Sequence, residues 1–246
     1  MEQDAPTIAD KLDATTDAVT FHIEGRYIHS NSVDFPTLYK LSDSAMWLRD
    51  SLKAVQLYTL DSSAPADPSN KAKKLCTLRH PDSSSSSSSG PPDSEYYAES
   101  VSETGLCSVS LTTFRPSTLS LHRGHRVHRL AKALDGGVEQ SELLFTAVPM
   151  QEKDVRCEWT NESGLVAYET DDSGLTKLTL MADLSRDMQQ ALVVSWILRL
   201  WWDNVKHPGK FSDDGMTEDE KRNFPTPGKQ WGIPTLIGGV ALGGAF

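Results

Sequence analysis

Hydrophobic and polar residues alternate with a period close to two along much of the chain as far as residue 181. Segments 18–23, 26–28, 36–41, 55–60 and 75–78 show this alternation over all or part of their length, so each is expected to bury one face and wet the other. Glu24-Gly25 between the first two marks a hairpin or a bulged pair. Strand-like sequence resumes at 106–111 and recurs at 118–122, 142–148, 155–160, 165–170 and 175–181. Turn-forming clusters such as Asn161-Glu162-Ser163-Gly164 and Asp171-Asp172-Ser173-Gly174 separate these runs. The pattern predicts a meander of about ten strands. Residues 126–134 fit either a strand or a helical stripe through Val127, Leu130, Ala131 and Leu134.

The period then changes. Met188, Leu192, Val193, Val194, Trp196, Ile197, Leu198, Leu200, Trp201 and Trp202 scatter around every face when set at 100 degrees per residue. A helix over 183–206 is predicted, with the Asp183 carboxylate as cap and Asp187 as early negative charge. Lys206 and His207 place positive charge at its end, and Pro208-Gly209 break it. The charge-free run from Met188 to Leu198 is shorter than the roughly 20 apolar residues of a membrane span, and Arg199 follows it. A membrane-surface helix would carry a broad basic face, which the central turns lack. An all-round apolar helix beside many half-buried strands is expected to be wrapped by the sheet itself.

The fold expected is therefore all-β with one long helix: a closed antiparallel β-barrel enclosing a hydrophobic helix toward its C-terminal side. Its organisation is read as a flexible lead-in over 1–17, a barrel domain over 18–206 and a tail over 207–246. Residues 82–97 hold seven consecutive serines followed by Gly90-Pro91-Pro92, a composition that cannot bury enough apolar surface to offset chain entropy. They are expected to form a disordered insertion within the barrel.

This layout resembles the tubby C-terminal-like superfamily, which includes tubby proteins, phospholipid scramblases and plant LURP-one-related proteins. The opening Phe21-His22-Ile23-Glu24-Gly25-Arg26-Tyr27-Ile28, followed by Pro36-Thr37-Leu38-Tyr39-Lys40-Leu41, is similar to uncharacterised fungal members. The resemblance would cover 19–204, apart from the serine-rich segment. It implies a barrel threaded by the helix and a binding or adaptor role at membrane lipid. The chain departs from the family in the forty residues after the helix, 207–246, and its lysines and arginines give no residue-by-residue match to the family's phosphoinositide-binding positions, so no such residue is carried over from the resemblance.

Charge and chemistry narrow the role. A net charge of −10 disfavours broad nucleic-acid binding, which needs a positive face. Against that acidic background, Leu121-His122-Arg123-Gly124-His125-Arg126-Val127-His128-Arg129 packs three histidines and three arginines into one short segment. Guanidinium groups offer planar, multiple donors to phosphate, and imidazoles add charge near neutral pH. His122, Arg123, His125, Arg126, His128 and Arg129 are the candidate anion- or lipid-headgroup contacts, with a plain solvated strand edge as the competing reading. A metal site is not expected there, because the neighbouring arginines repel a cation.

No catalytic residue is assigned: GxSxG, HExxH, P-loop and dinucleotide patterns are all missing from the sequence. Cys76, Cys107 and Cys157 are widely spaced, so neither a disulfide framework nor a CxxC metal site is suggested, and Cys107 sits in an alternating strand pattern as a core thiol. No cofactor or metal is expected. The N-terminal Met1-Glu2-Gln3-Asp4 lacks a basic, apolar leader, so a cytoplasmic location, peripheral at membranes, is expected. The expected partners are a membrane lipid or a protein, and nucleic acid is not among them. The function expected is non-enzymatic binding or adaptor activity; the alternative is a small-molecule-binding enzyme or accessory factor using a barrel cleft.

Overall fold

The computed structural model describes residues 18–31, 37–45, 48–49, 52–60, 72–80, 96–101, 108–117, 123–133, 137–150, 155–172 and 175–207. The N-terminal lead-in over 1–17, the serine run, the strand predicted at 118–122, Cys107, His122 and the tail from 208 lie outside the described residues. Twelve strands are present among the described residues. They are β1 (Thr20–Glu24), β2 (Tyr27–Ser30), β3 (Thr37–Leu41), β4 (Ala54–Thr59), β5 (Lys73–Arg79) and β6 (Tyr96–Ser100), followed by β7 (Val109–Phe114), β8 (Gly124–Lys132), β9 (Val138–Pro149), β10 (Val155–Asn161), β11 (Gly164–Asp172) and β12 (Leu175–Leu180). The chain then forms α1 (Arg186–Lys206).

Each strand pairs antiparallel with the next, and β1 pairs β12 through Thr20↔Thr179, Phe21↔Leu178 and His22↔Lys177, which closes the barrel. Gly25, at φ 57°, makes the tight turn from β1 to β2 that a side chain would strain. Alternation aims one residue in two at the interior: Val55 and Leu57, Cys76 and Leu78, Val109 and Leu111, Cys157 and Trp159, Leu178 and Leu180.

A barrel of eight strands is filled by its own side chains, and twelve leave a wider interior. α1, roughly 10 Å across with its side chains, occupies that space. Every residue from Ala191 to Asn204 is buried, which requires cover on all sides of the helix. The closed antiparallel barrel around a hydrophobic helix is thus the observed fold, and no helix among the described residues is long and apolar enough to cross a membrane.

Two local expectations are corrected and one open alternative is decided. The helix starts at Arg186, capped by Ser185, whose Oγ accepts from the Met188 N–H at 3.4 Å; Asp183 lies two residues too early to do this. The ambiguous 126–134 segment is strand through Lys132, because β7 and β9 pair with it on both sides. Tyr96 and Tyr97, assigned to the serine-rich insertion, begin β6, whose register Arg79↔Tyr97 and Tyr97↔Ser110 ties it to β5 and β7. The serine-rich segment therefore joins two neighbouring strands of one barrel.

The C-terminal end of α1 is fixed at the mouth where β1 turns into β2 and β8 begins. Asn204 Nδ2 donates to the Ala45 carbonyl at 2.9 Å, and Trp201 Nε1 donates to the Arg49 carbonyl at 3.1 Å. Ala45 N in turn donates to Gly25 O at 3.0 Å, linking the helix end to the first hairpin.

Candidate anion-binding site

The register of β7 on β8 decides where the histidine- and arginine-rich segment points. Thr112 pairs with Arg126, Thr113 with His125 and Phe114 with Gly124, so Gly124 and Arg126 share the outer face while His125 turns inward. The Phe114 ring lies on Gly124: a Cβ there would meet Phe114 Cε1 and Cζ at 2.7 Å. Only glycine leaves room for this. The Arg126 guanidinium then sits over the same ring, 4.6 Å from its centroid. Arg126 is exposed, so its edge donors face solvent while one flat face is held by the ring.

Arg123, just before β8, donates from Nη1 to Thr113 Oγ1 at 3.3 Å and is exposed. Arg115, the residue after β7, is exposed at the same mouth. Three guanidinium-bearing residues therefore flank the paired ends of β7 and β8. Sequence reasoning missed Arg115, although its position directly after the apolar Phe114 was the available signal.

The other predicted contacts are dispersed. His125 is 2% exposed and faces the interior, where its ring meets Trp202 edge-on at 4.7 Å. Burial, then the charges of Arg199 and Arg123, push its imidazole down to about 3, so it stays neutral. It takes no part in an outer cationic surface. His128 is half-buried beside Ser110, and burial followed by the Arg126 charge lowers its imidazole as well. Arg129 lies three residues beyond Arg126, about 10 Å along the strand, and its Nη1 stands 3.8 Å from Glu142 Oε2. The segment thus leaves Arg123 on Thr113 and Arg126 on Phe114 at the same end of the β7–β8 pair, and Arg129 with a carboxylate of its own.

Inward of this face lies a charge cluster that the sequence did not disclose. Glu169, on β11 opposite Cys157 and Leu178, points into the barrel and is fully buried. Arg199 of α1 donates to its Oε1. Between Val155↔Thr170 and Cys157↔Glu169, β10 advances two residues for one on β11, and the extra residue is Arg156. This bulge re-aims Arg156 so that its Nη2 lies 2.5 Å from Asp203 Oδ2 and its Nη1 3.9 Å from both Glu169 Oε1 and Asp171 Oδ2.

Burial pushes the Glu169 carboxyl up, against the pull of Arg199 and Arg156. Burial also opposes the Arg199 charge, but Cys157, Glu169 and Asp203 around it outweigh that and the guanidinium remains charged. Burial pushes the Cys157 thiol up to about 12, which leaves it unreactive. The cluster joins the helix to β10 and β11; among the described residues, no three His, Cys, Asp or Glu side chains are placed to hold a metal ion. No protein-family model, curated protein or solved structure matches the chain.

Proposed function

We propose that the chain is a non-catalytic binding protein of the tubby-like type, which recognises a phosphate-bearing anion, the headgroup of a phosphoinositide, at the ends of β7 and β8. The observation that carries this reading is the stack of Arg126 on Phe114 on Gly124. An exposed arginine usually sacrifices side-chain freedom on binding; one held flat on a ring has already lost part of it. Arg123 and Arg115 supply further guanidinium donors, whose fork geometry matches phosphate oxygens. The barrel wrapped around α1 supports the resemblance to the tubby-like group.

The net charge of −10 sets the character of the contact. Long-range attraction to an anionic surface is unfavourable, so binding rests on local pairing and weakens with salt. The test is co-sedimentation with phosphatidylcholine vesicles containing phosphatidylinositol bisphosphate, beside vesicles of phosphatidylcholine alone and soluble inositol phosphate as competitor. Binding only to the phosphoinositide vesicles, lowered more than tenfold by Arg123→Glu with Arg126→Glu, supports the reading. Competition by inositol phosphate identifies the headgroup as the recognised part. Absence of vesicle binding, or binding indifferent to both substitutions, overturns it.

A further inference from the structure

At the mouth opposite the arginines, β9 overhangs the barrel. It pairs with β8 from Val138 to Ala147, whereas β10 reaches only Thr146–Pro149 before turning at 161–164 into β11. No described strand lies along the other side of residues 138–143. Val138 and Leu143 there are 43% and 41% exposed, two of the five exposed large hydrophobic residues among the described residues. Glu139, Ser141 and Glu142 are also exposed. A barrel otherwise abolishes strand edges, so an overhang of this length is a place where another strand can add.

Self-pairing is disfavoured by the residues present. The antiparallel register that pairs all of 138–143 with a second copy sets Glu139 opposite Glu142 twice, and like charges directly opposed destabilise a ladder. The same carboxylates suit basic residues on an incoming strand. Arg129 models that contact within the chain, since its Nη1 approaches Glu142 Oε2 at 3.8 Å while its carbonyl accepts from Ser141 Oγ at 3.1 Å.

We infer that the overhanging edge of β9, residues 138–143, binds an extended basic segment of a partner protein by strand addition. Main-chain hydrogen bonds would supply the pairing, Val138 and Leu143 an apolar contact, and Glu139 and Glu142 the selection for lysine or arginine. This site stands at the barrel end away from Arg123 and Arg126, and its test does not depend on anion binding.

The probe is a synthetic peptide alternating valine and lysine, compared with its valine–glutamate counterpart, on the full chain. The lysine peptide should bind and slow amide exchange within 138–143, and Glu139→Lys with Glu142→Lys should weaken it about tenfold while admitting the glutamate peptide. Both substitutions are at exposed positions, and an unchanged urea midpoint would verify that the barrel is intact. Binding without exchange protection in β9, no binding of the lysine peptide, or equal binding to the charge-reversed chain would overturn the inference. A concentration-dependent dimer with a protected β9 edge would overturn it in favour of self-pairing.

Discussion

Arg199 of α1 donates to Oε1 of Glu169 on β11, and neither side chain reaches solvent, at 5% and 0% exposure. With Arg156–Asp203, this pair links the enclosed helix electrostatically to its barrel. Taking two charges out of water is costly, so the pair need not add net stability over an apolar replacement, but leaving one partner alone is severe. Glu169→Leu or Arg199→Met alone is expected to cost about 3–5 kcal/mol, with the double variant recovering most of the loss. Urea unfolding of all four members of the cycle measures it; strictly additive losses would contradict the pairing.

Acid sensitivity follows from His125. Its imidazole is held down to about 3 by burial first and by Arg199 and Arg123 second, whereas the unfolded chain protonates near 6.5. Above the unfolded value both states are neutral and this histidine makes no pH-dependent contribution. As the pH falls from 6.5 toward 3, the unfolded chain takes up a proton that the barrel excludes, and stability drops by about 1.4 kcal/mol per pH unit. His125→Phe should remove that slope; urea midpoints across the range will show a shallower acid limb in the variant.

Gly124→Ala tests the stack that positions Arg126. The added Cβ would force back the far end of the Phe114 ring, from 2.7 Å, and would crowd the Ala147 carbonyl at 3.1 Å. A modest stability loss of about 1 kcal/mol is expected, with weaker headgroup binding because Arg126 loses its platform. Phe114→Leu should weaken binding similarly without crowding the strand. Thermal melts and vesicle binding on the two variants separate these effects.

Cys157 should be silent to thiol reagents in the folded barrel. It is 2% exposed and its thiol is pushed up to about 12, so neither access nor thiolate is available. In a chain carrying Cys76→Ala and Cys107→Ala, labelling of Cys157 should proceed at the rate of barrel opening and accelerate with urea. Rapid labelling in native buffer would show that the core around Glu169 is open.

The strands were legible where alternation ran over four or more residues between turn-forming clusters, and the helix was legible because its apolar residues covered every face. Those are local signals. β6 escaped because its five residues, Tyr-Tyr-Ala-Glu-Ser, follow the serine- and proline-rich run and carry no clean alternation. Ser185 and Asp183 are both acceptable caps by composition, and only the backbone geometry chose between them. In the sequence Arg199 is only a charge that shortens an apolar run. Its true partner, thirty residues earlier, emerges only from the registers of β10 and β11 and the bulge at Arg156. The basic segment was likewise visible as a cluster along the chain, but a strand sends neighbours to opposite faces, so His125 left the surface that Arg126 kept.

Anion recognition by the β7–β8 end is most directly tested by titrating a soluble inositol phosphate into the isotope-labelled full chain and following amide and arginine side-chain resonances. Saturable shifts are expected at Phe114, Gly124 and Arg126 and at the Arg123 side chain, diminishing with added salt, while Arg129 and the buried Arg199 stay unmoved. Saturation with those resonances unchanged, or shifts confined to another face of the barrel, would contradict it.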